Sequence, residues 1–232
     1  MIALLLFISA DLQVAAASDL AGVRPALTAA FAKETAIKVR FTLGSSGLLA
    51  KQIDNGAPFD LFLSANERLV TDLARTGKVD RATVRVYASG VLGLWSFRGK
   101  VRRVEDLASL PDVKHIAIAN PLHAPYGVAA REVLEKFDLW TPLQPKIVYG
   151  ENVRQALQFA ESGNADAVLT AWPLLLDKPN AIPIPTSWHQ PIRQAGGVVS
   201  ASGQPDIALK FLRFLAEGAG ARILRDAGFG KP

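Results

Sequence analysis

The sequence predicts an α/β fold built on mostly parallel sheets. Three observations carry this. Strand-like apolar runs alternate with helix-period segments along the chain. The turns that follow several strands hold small, hydroxyl or amide residues of the kind that start helices. No internal repeat or low-complexity tract interrupts the alternation.

Taken in order, residues 12–16 read as a buried strand. Val23, Leu27, Ala30 and Phe31 then share one helical face, with Pro25 near the first turn, where a missing N–H does least harm. Residues 39–43 form the next strand, and Gly44-Ser45-Ser46-Gly47 is a turn before a helix over 48–54, stopped by Asn55-Gly56. A third strand covers 60–64, and Asn66 caps a helix that ends before Gly77. Strands follow at 91–97 and 115–119, then a loop over 120–127 and a helix over 128–137. A short strand at 146–149 leads through Gly150-Glu151-Asn152 to a helix over 153–162, and 165–170 is a strand again. Residues 179–191 are proline-rich and read as irregular. Residues 192–200 return as a strand through Gly196-Gly197, and two helices close the chain, one after Pro205 and one over 218–226.

The 232 residues suffice for one large domain or two small ones, and half of them are hydrophobic. No apolar run reaches the length of a membrane-spanning helix. Residues 1–10 resemble the apolar core and small-residue end of an export signal, without its usual basic flank; a buried first strand is the other reading. The chain has no cysteine, which excludes thiol catalysis, disulfides and cysteine-based zinc sites. The net charge of +5 is scattered, and its one local cluster, Arg98, Lys100, Arg102 and Arg103, reads as a solvated turn rather than a nucleic-acid patch.

Catalytic motifs are lacking. Gly44-Ser45-Ser46-Gly47 is not a G-x-S-x-G elbow, since Leu48 follows, nor a Walker loop. The three histidines, His115, His123 and His189, show no metal-binding spacing and read as structural. The strand-to-helix junctions are more informative. Ala17-Ser18, Ser45-Ser46, Pro125-Tyr126-Gly127 and Asn152-Val153 each put small or capping residues where first-turn N–H groups are unpaired. Each alone is an ordinary cap. Together, at the C-terminal edge of parallel strands, they form a candidate anion site of neutral donors. Such donors suit a fully ionised oxyanion stripped of water. Asp19 is either a first-turn complement to the helix dipole or an acceptor for a protonated, phosphate-like ligand.

These residues resemble the periplasmic molybdate-binding proteins of ABC transporters. The resemblance spans almost all of the chain after residue 10 and rests on "AAASDL" (15–20), "GSSGLLAKQIDNGAPFDLFLSAN" (44–66), "NPLHAPYGVAAREVL" (120–134) and "GENVRQAL" (150–157). It implies a two-lobed type 2 periplasmic binding fold with two hinge crossings. Lobe one would comprise 11–89 and 190–232, and lobe two 90–189. It implies an anion in the cleft, held by Ser18 and Ser46 through hydroxyl and N–H, and by the N–H groups of Tyr126 and Val153. Asp19 would contribute only its N–H. Some relatives place a tyrosine hydroxyl near Thr170; this chain has none there, so Thr170 is the candidate substitute donor. Ser45 is left as a turn residue, with Gly44 and Gly47 supplying backbone freedom.

The resemblance further implies a monomeric, periplasmic carrier of molybdate or tungstate. It would serve an ABC permease, with no cofactor and no direct protein–metal bond. Other readings are a binder of phosphate, sulfate or a small carboxylate, a hydrolase using Ser45 or Ser46, and the effector lobes of a transcription regulator. The hydrolase lacks a base near either serine in the sequence, and the regulator lacks a preceding helix-turn-helix.

Overall fold

Two five-stranded sheets, each flanked by helices, organise the chain in a computed structural model that describes residues 11–232. The expectation of an export signal over 1–10 lies outside the described residues. β1 (Leu12–Ala17) runs into a 3-10 turn, Ser18–Ala21, and then α1 (Arg24–Thr35). β2 (Val39–Gly44) leads to α2 (Ser46–Asp54), and β3 (Leu61–Ser64) to α3 (Glu67–Arg75) and β4 (Arg85–Gly90). The chain then crosses to β5 (Leu92–Ser96), the single-turn α4 (Asp106–Ser109), β6 (Ile116–Ala119) and α5 (Pro125–Lys136). The short α6 (Trp140–Leu143), β7 (Ile147–Gly150), α7 (Val153–Glu161), β8 (Ala167–Ala171) and β9 (Ile182–Pro183) complete that half. β10 (Ile192–Val198), α8 (Pro205–Glu217) and α9 (Ala219–Asp226) return to the first half.

The first sheet has the order β2-β1-β3-β10-β4 and the second β7-β6-β8-β5-β9. β1 lies parallel to β2 and β3, and β6 lies parallel to β7 and β8. Each sheet has one reversed strand: β10 runs against β3 and β4, and β5 against β8 and β9. In both cases the reversed strand is the first one laid down after a crossing between the sheets. The ends of β1, β2, β6 and β7 therefore point their following turns into the space between the lobes, as the rule for open α/β sheets requires.

Three apolar clusters hold the two halves, the third packing Leu49 and Ile53 of α2 against Phe62 and Val70. In the first, Phe31 of α1 meets Phe211 and Phe214 of α8 edge to face, at ring centroids of 4.8 and 5.4 Å, a favoured geometry for aromatic pairs. In the second, Leu92, Leu94, Ile116, Ile118, Val133, Leu157 and Val168 pack without solvent exposure.

Local signals place most elements within a few residues of expectation. Asn66 accepts from the Arg68 N–H at 2.9 Å, and Pro25 sits in the first turn of α1. Four readings change. α2 begins at Ser46 rather than 48, because Ser45 is extended (φ −73, ψ 143) and is itself the N-cap. α5 begins at Pro125 rather than 128, since proline tolerates the first turn. β4 lay in a stretch with no strong apolar run and is held by its ladder with β10. The proline-rich stretch contains β9, paired to β5 at the sheet edge, where proline's missing N–H is harmless.

Candidate functional site

α2, α5, α7 and the 3-10 turn after β1 all start at one cavity of ≈ 220 Å³, lined by Ser18, Asp19, Ser46, Tyr126, Asn152 and Val153 among others. Only ≈ 10 Å³ of that space admits the centre of a water-sized sphere, so it is a tight, nearly closed cavity far below the range typical of organic-ligand pockets. Larger grooves lie elsewhere, one beside Asp11, Arg24 and Phe41, but no helix N-termini converge there.

The capping chemistry leaves selected N–H groups free. In α7, Asn152 Oδ1 accepts from Arg154 and Gln155, at 3.0 and 3.1 Å, so the preceding Val153 N–H is not taken. In α2, Ser45 Oγ accepts from Leu48 at 3.4 Å and the Gly47 N–H donates to the His123 carbonyl at 2.9 Å, which passes over Ser46. In α5, Pro125 has no N–H and Gly127 donates to Ala124, which passes over Tyr126. Ser46, Tyr126 and Val153 thus present backbone N–H groups with no acceptor among the described residues. Buried N–H groups are rarely left so, and here they line the one space.

The hydroxyls differ in readiness. Ser46 Oγ accepts the Ala65 N–H at 3.0 Å, so its own proton remains available to a ligand. Ser18 Oγ donates to the Gly44 carbonyl at 3.1 Å, tying the ends of β1 and β2. Thr170 does not line the cavity; its hydroxyl donates to the Val153 carbonyl at 2.9 Å and so holds the start of α7.

The lining has no lysine or arginine; Arg154, the nearest in sequence, pairs outward with Glu161 at 3.4 Å. Asp19 is fully buried. Gln194 of β10 donates from Nε2 to its Oδ2 and also to the Tyr126 hydroxyl, at 3.3 Å in the latter case, while Tyr87 donates to Gln194 Oε1 at 3.2 Å. Burial pushes the Asp19 carboxyl up to about 6, against the opposing pull of its hydrogen bonds. Burial, reinforced by the Asp19 charge, holds the Tyr87 and Tyr126 hydroxyls neutral, well above the usual tyrosine range.

Two bonds join the loop before α5 to the start of α2. His123, in the loop before α5, bonds Ser45 Oγ through Nδ1 at 2.8 Å and receives the Gly47 N–H on its carbonyl. The pairing itself is not legible in the sequence, where Ser45 reads as a turn residue, or as a nucleophile only in the alternative hydrolase reading, and His123 as structural, because 78 positions separate the partners. The base missing from the sequence beside Ser45 is thus supplied by the fold. The glycines also act differently from expectation. Neither Gly44 nor Gly47 has a positive φ, and a Cβ at Gly47 would lie 2.8 Å from the His123 carbonyl oxygen. Gly47 permits close approach of the two lobes rather than an unusual backbone angle.

The family model for bacterial extracellular solute-binding proteins matches residues 12–230. The molybdate-binding protein ModA of Rhodobacter capsulatus is 33% identical over 87% of this chain and 81% of its own length. That of Azotobacter vinelandii is 31% identical over 96% of this chain and 90% of its own. The structure of the Azotobacter vinelandii periplasmic molybdate-binding protein superposes with a TM-score of 0.90 at 30% identity, over 96% of this chain and 100% of that one. A two-lobed fold, a cleft of neutral donors and end-to-end similarity agree: this chain belongs to the bacterial extracellular solute-binding proteins.

Proposed function

We propose that this protein captures molybdate between its lobes and delivers it to an ABC permease from the extracytoplasmic side. The observation that carries the reading is the set of free N–H groups on Ser46, Tyr126 and Val153 around a small cavity without lysine or arginine. Such donors stabilise a dianion by charge-assisted bonds, each directed at one oxygen. Ser46 adds its hydroxyl and Ser18 a second, once the latter turns from Gly44. Asp19 closes one wall, and Thr170 positions Val153. Tungstate, nearly equal in size and charge, would occupy the same donors.

Residues 11–89 with 190–232 form the first lobe in this reading, and 90–189 the second. Ser18 and Ser46 then come from one lobe and Tyr126 and Val153 from the other, so closure completes the shell. The carrier acts as a monomer in the periplasm. It is not an enzyme: Ser45 serves as cap and clasp, and no carboxylate bonds the opposite nitrogen of His123 among the described residues.

Calorimetry with molybdate, sulfate and phosphate tests the reading. Tight binding of molybdate with weak sulfate heat is expected, since the smaller ion leaves donors stretched in a dry site. Binding of sulfate or phosphate without molybdate would overturn it. Ser46→Ala should weaken molybdate binding by about 1.5–3 kcal/mol, roughly ten- to a hundredfold, as a lost bond to a charged group. An unchanged dissociation constant would remove Ser46 from the site.

A further inference from the structure

Asp19 is an unusual wall for an anion cavity. It has no exposed surface, it lines the same space as the free N–H groups, and its Oδ1 has no hydrogen-bond partner. The other oxygen, Oδ2, is taken by the Gln194 amide. The groups acting on it are the Tyr126 hydroxyl of α5, the Gln194 amide of β10 and the N–H groups of Leu20 and of Asp19 itself, all of which favour the ionised form, with the Tyr87 hydroxyl of β4 behind Gln194; no cation is among them. An ionised carboxylate here would face a dianion across a cavity only a few atoms wide, with no counter-charge between them.

Building on the oxyanion reading, we propose that Asp19 is a ligand-facing residue that works as a neutral acid: each dianion captured brings one proton onto Asp19. The proton goes to Oδ1, the unpartnered oxygen, while Oδ2 continues to accept from Gln194. The wall then becomes a further donor, Oδ1–H toward an oxyanion oxygen, in a site otherwise built of N–H and O–H groups. The direction agrees with the effect of burial, which raises the carboxyl to about 6 before any anion is near, so that it is still ionised above neutrality and has a proton to gain. A bound dianion favours it further. The sign follows from linkage: a group that holds its proton more tightly in the complex makes binding stronger at lower pH.

The test is calorimetry of the whole protein with molybdate and with sulfate, between pH 7 and 8.5, in buffers of different ionisation enthalpy. Wild type should take up close to one proton per molybdate, and affinity should fall by up to about tenfold per pH unit. Asp19→Asn, which keeps the shape and a neutral donor, should take up none, show a flat pH profile and bind at least as tightly as wild type at pH 8.5. Equal heats in all buffers for wild type, or an Asn variant that binds more weakly at pH 8.5, would overturn the proposal. Sulfate heat without molybdate heat would sink the molybdate reading and leave the proton count on sulfate to decide the role of Asp19. Heat from neither ion would sink both.

Discussion

Gly47→Ala should lower molybdate affinity by roughly ten- to a hundredfold while leaving the ligand-free protein at least as stable as the parent. The methyl group would lie 2.8 Å from the His123 carbonyl oxygen and 3.0 Å from its Cα, both backbone atoms that cannot turn aside. Those atoms belong to the other side of the cleft, so on the proposed closing motion the clash would arise only when the two sides meet. Overpacking of this kind costs about 1–3 kcal/mol, and each 1.4 kcal/mol is tenfold in affinity. In the open protein the same change replaces a helical glycine by alanine, which favours α2 by about 0.5–1 kcal/mol. Calorimetry paired with a ligand-free melting curve separates the two effects. Unchanged affinity would show that the lobes need not approach this closely. A joint loss of affinity and stability would show a folding defect instead.

Gly127→Ala should act on the fold itself. A Cβ there would be 2.0 Å from the Ala119 carbonyl oxygen and 2.8 Å from its carbon, within one lobe and in every state of the cleft. Relief requires lifting the first turn of α5 off the end of β6. That turn leads into Ala129, Ala130, Val133 and Leu134, all buried in the second core. The cost should reach the upper end of overpacking, about 3 kcal/mol, or a fall of roughly 10 °C in Tm for a chain of this size. Molybdate affinity should fall too, since the displaced turn carries the Tyr126 N–H. A melting point within about 2 °C of the parent would mean the helix can shift at little cost.

The contrast between these glycines shows what was legible in the sequence. Caps such as Asn66 and Asn152 act on groups two or three residues away, so their signal is local, and it places α3 and α7 correctly. The four junctions that meet at the cavity are legible for the same reason. Gly47 and Gly127 look alike in sequence, yet one meets the loop before α5 across the cavity and the other the end of β6 beneath its own helix, because the atoms they meet are far along the chain or across a turn. The Ser45–His123 bond, the Gln194–Asp19 bond and the turning of the Thr170 hydroxyl toward Val153 are products of tertiary approach. Tyr126 combines both kinds of information. Its candidacy as an N–H donor comes from the resemblance, with the helix expected to start only at 128, while its hydroxyl belongs to a buried cluster with Gln194 and Asp19 that no local pattern announces.

The placement of β10 between β3 and β4 has a consequence for how the molecule is made. β3 and β4 are synthesised early, but they cannot join until the strand that separates them emerges, about a hundred residues later. The second sheet draws all its strands from one unbroken stretch, β5 to β9, and can assemble first. The first sheet stays in two pieces until the last part of the chain appears, and α8 and α9 then seal it. Long-range pairing of this sort is intrinsically slow. Completion of the first sheet therefore depends on joining strands about a hundred residues apart, whereas the second sheet needs no such join.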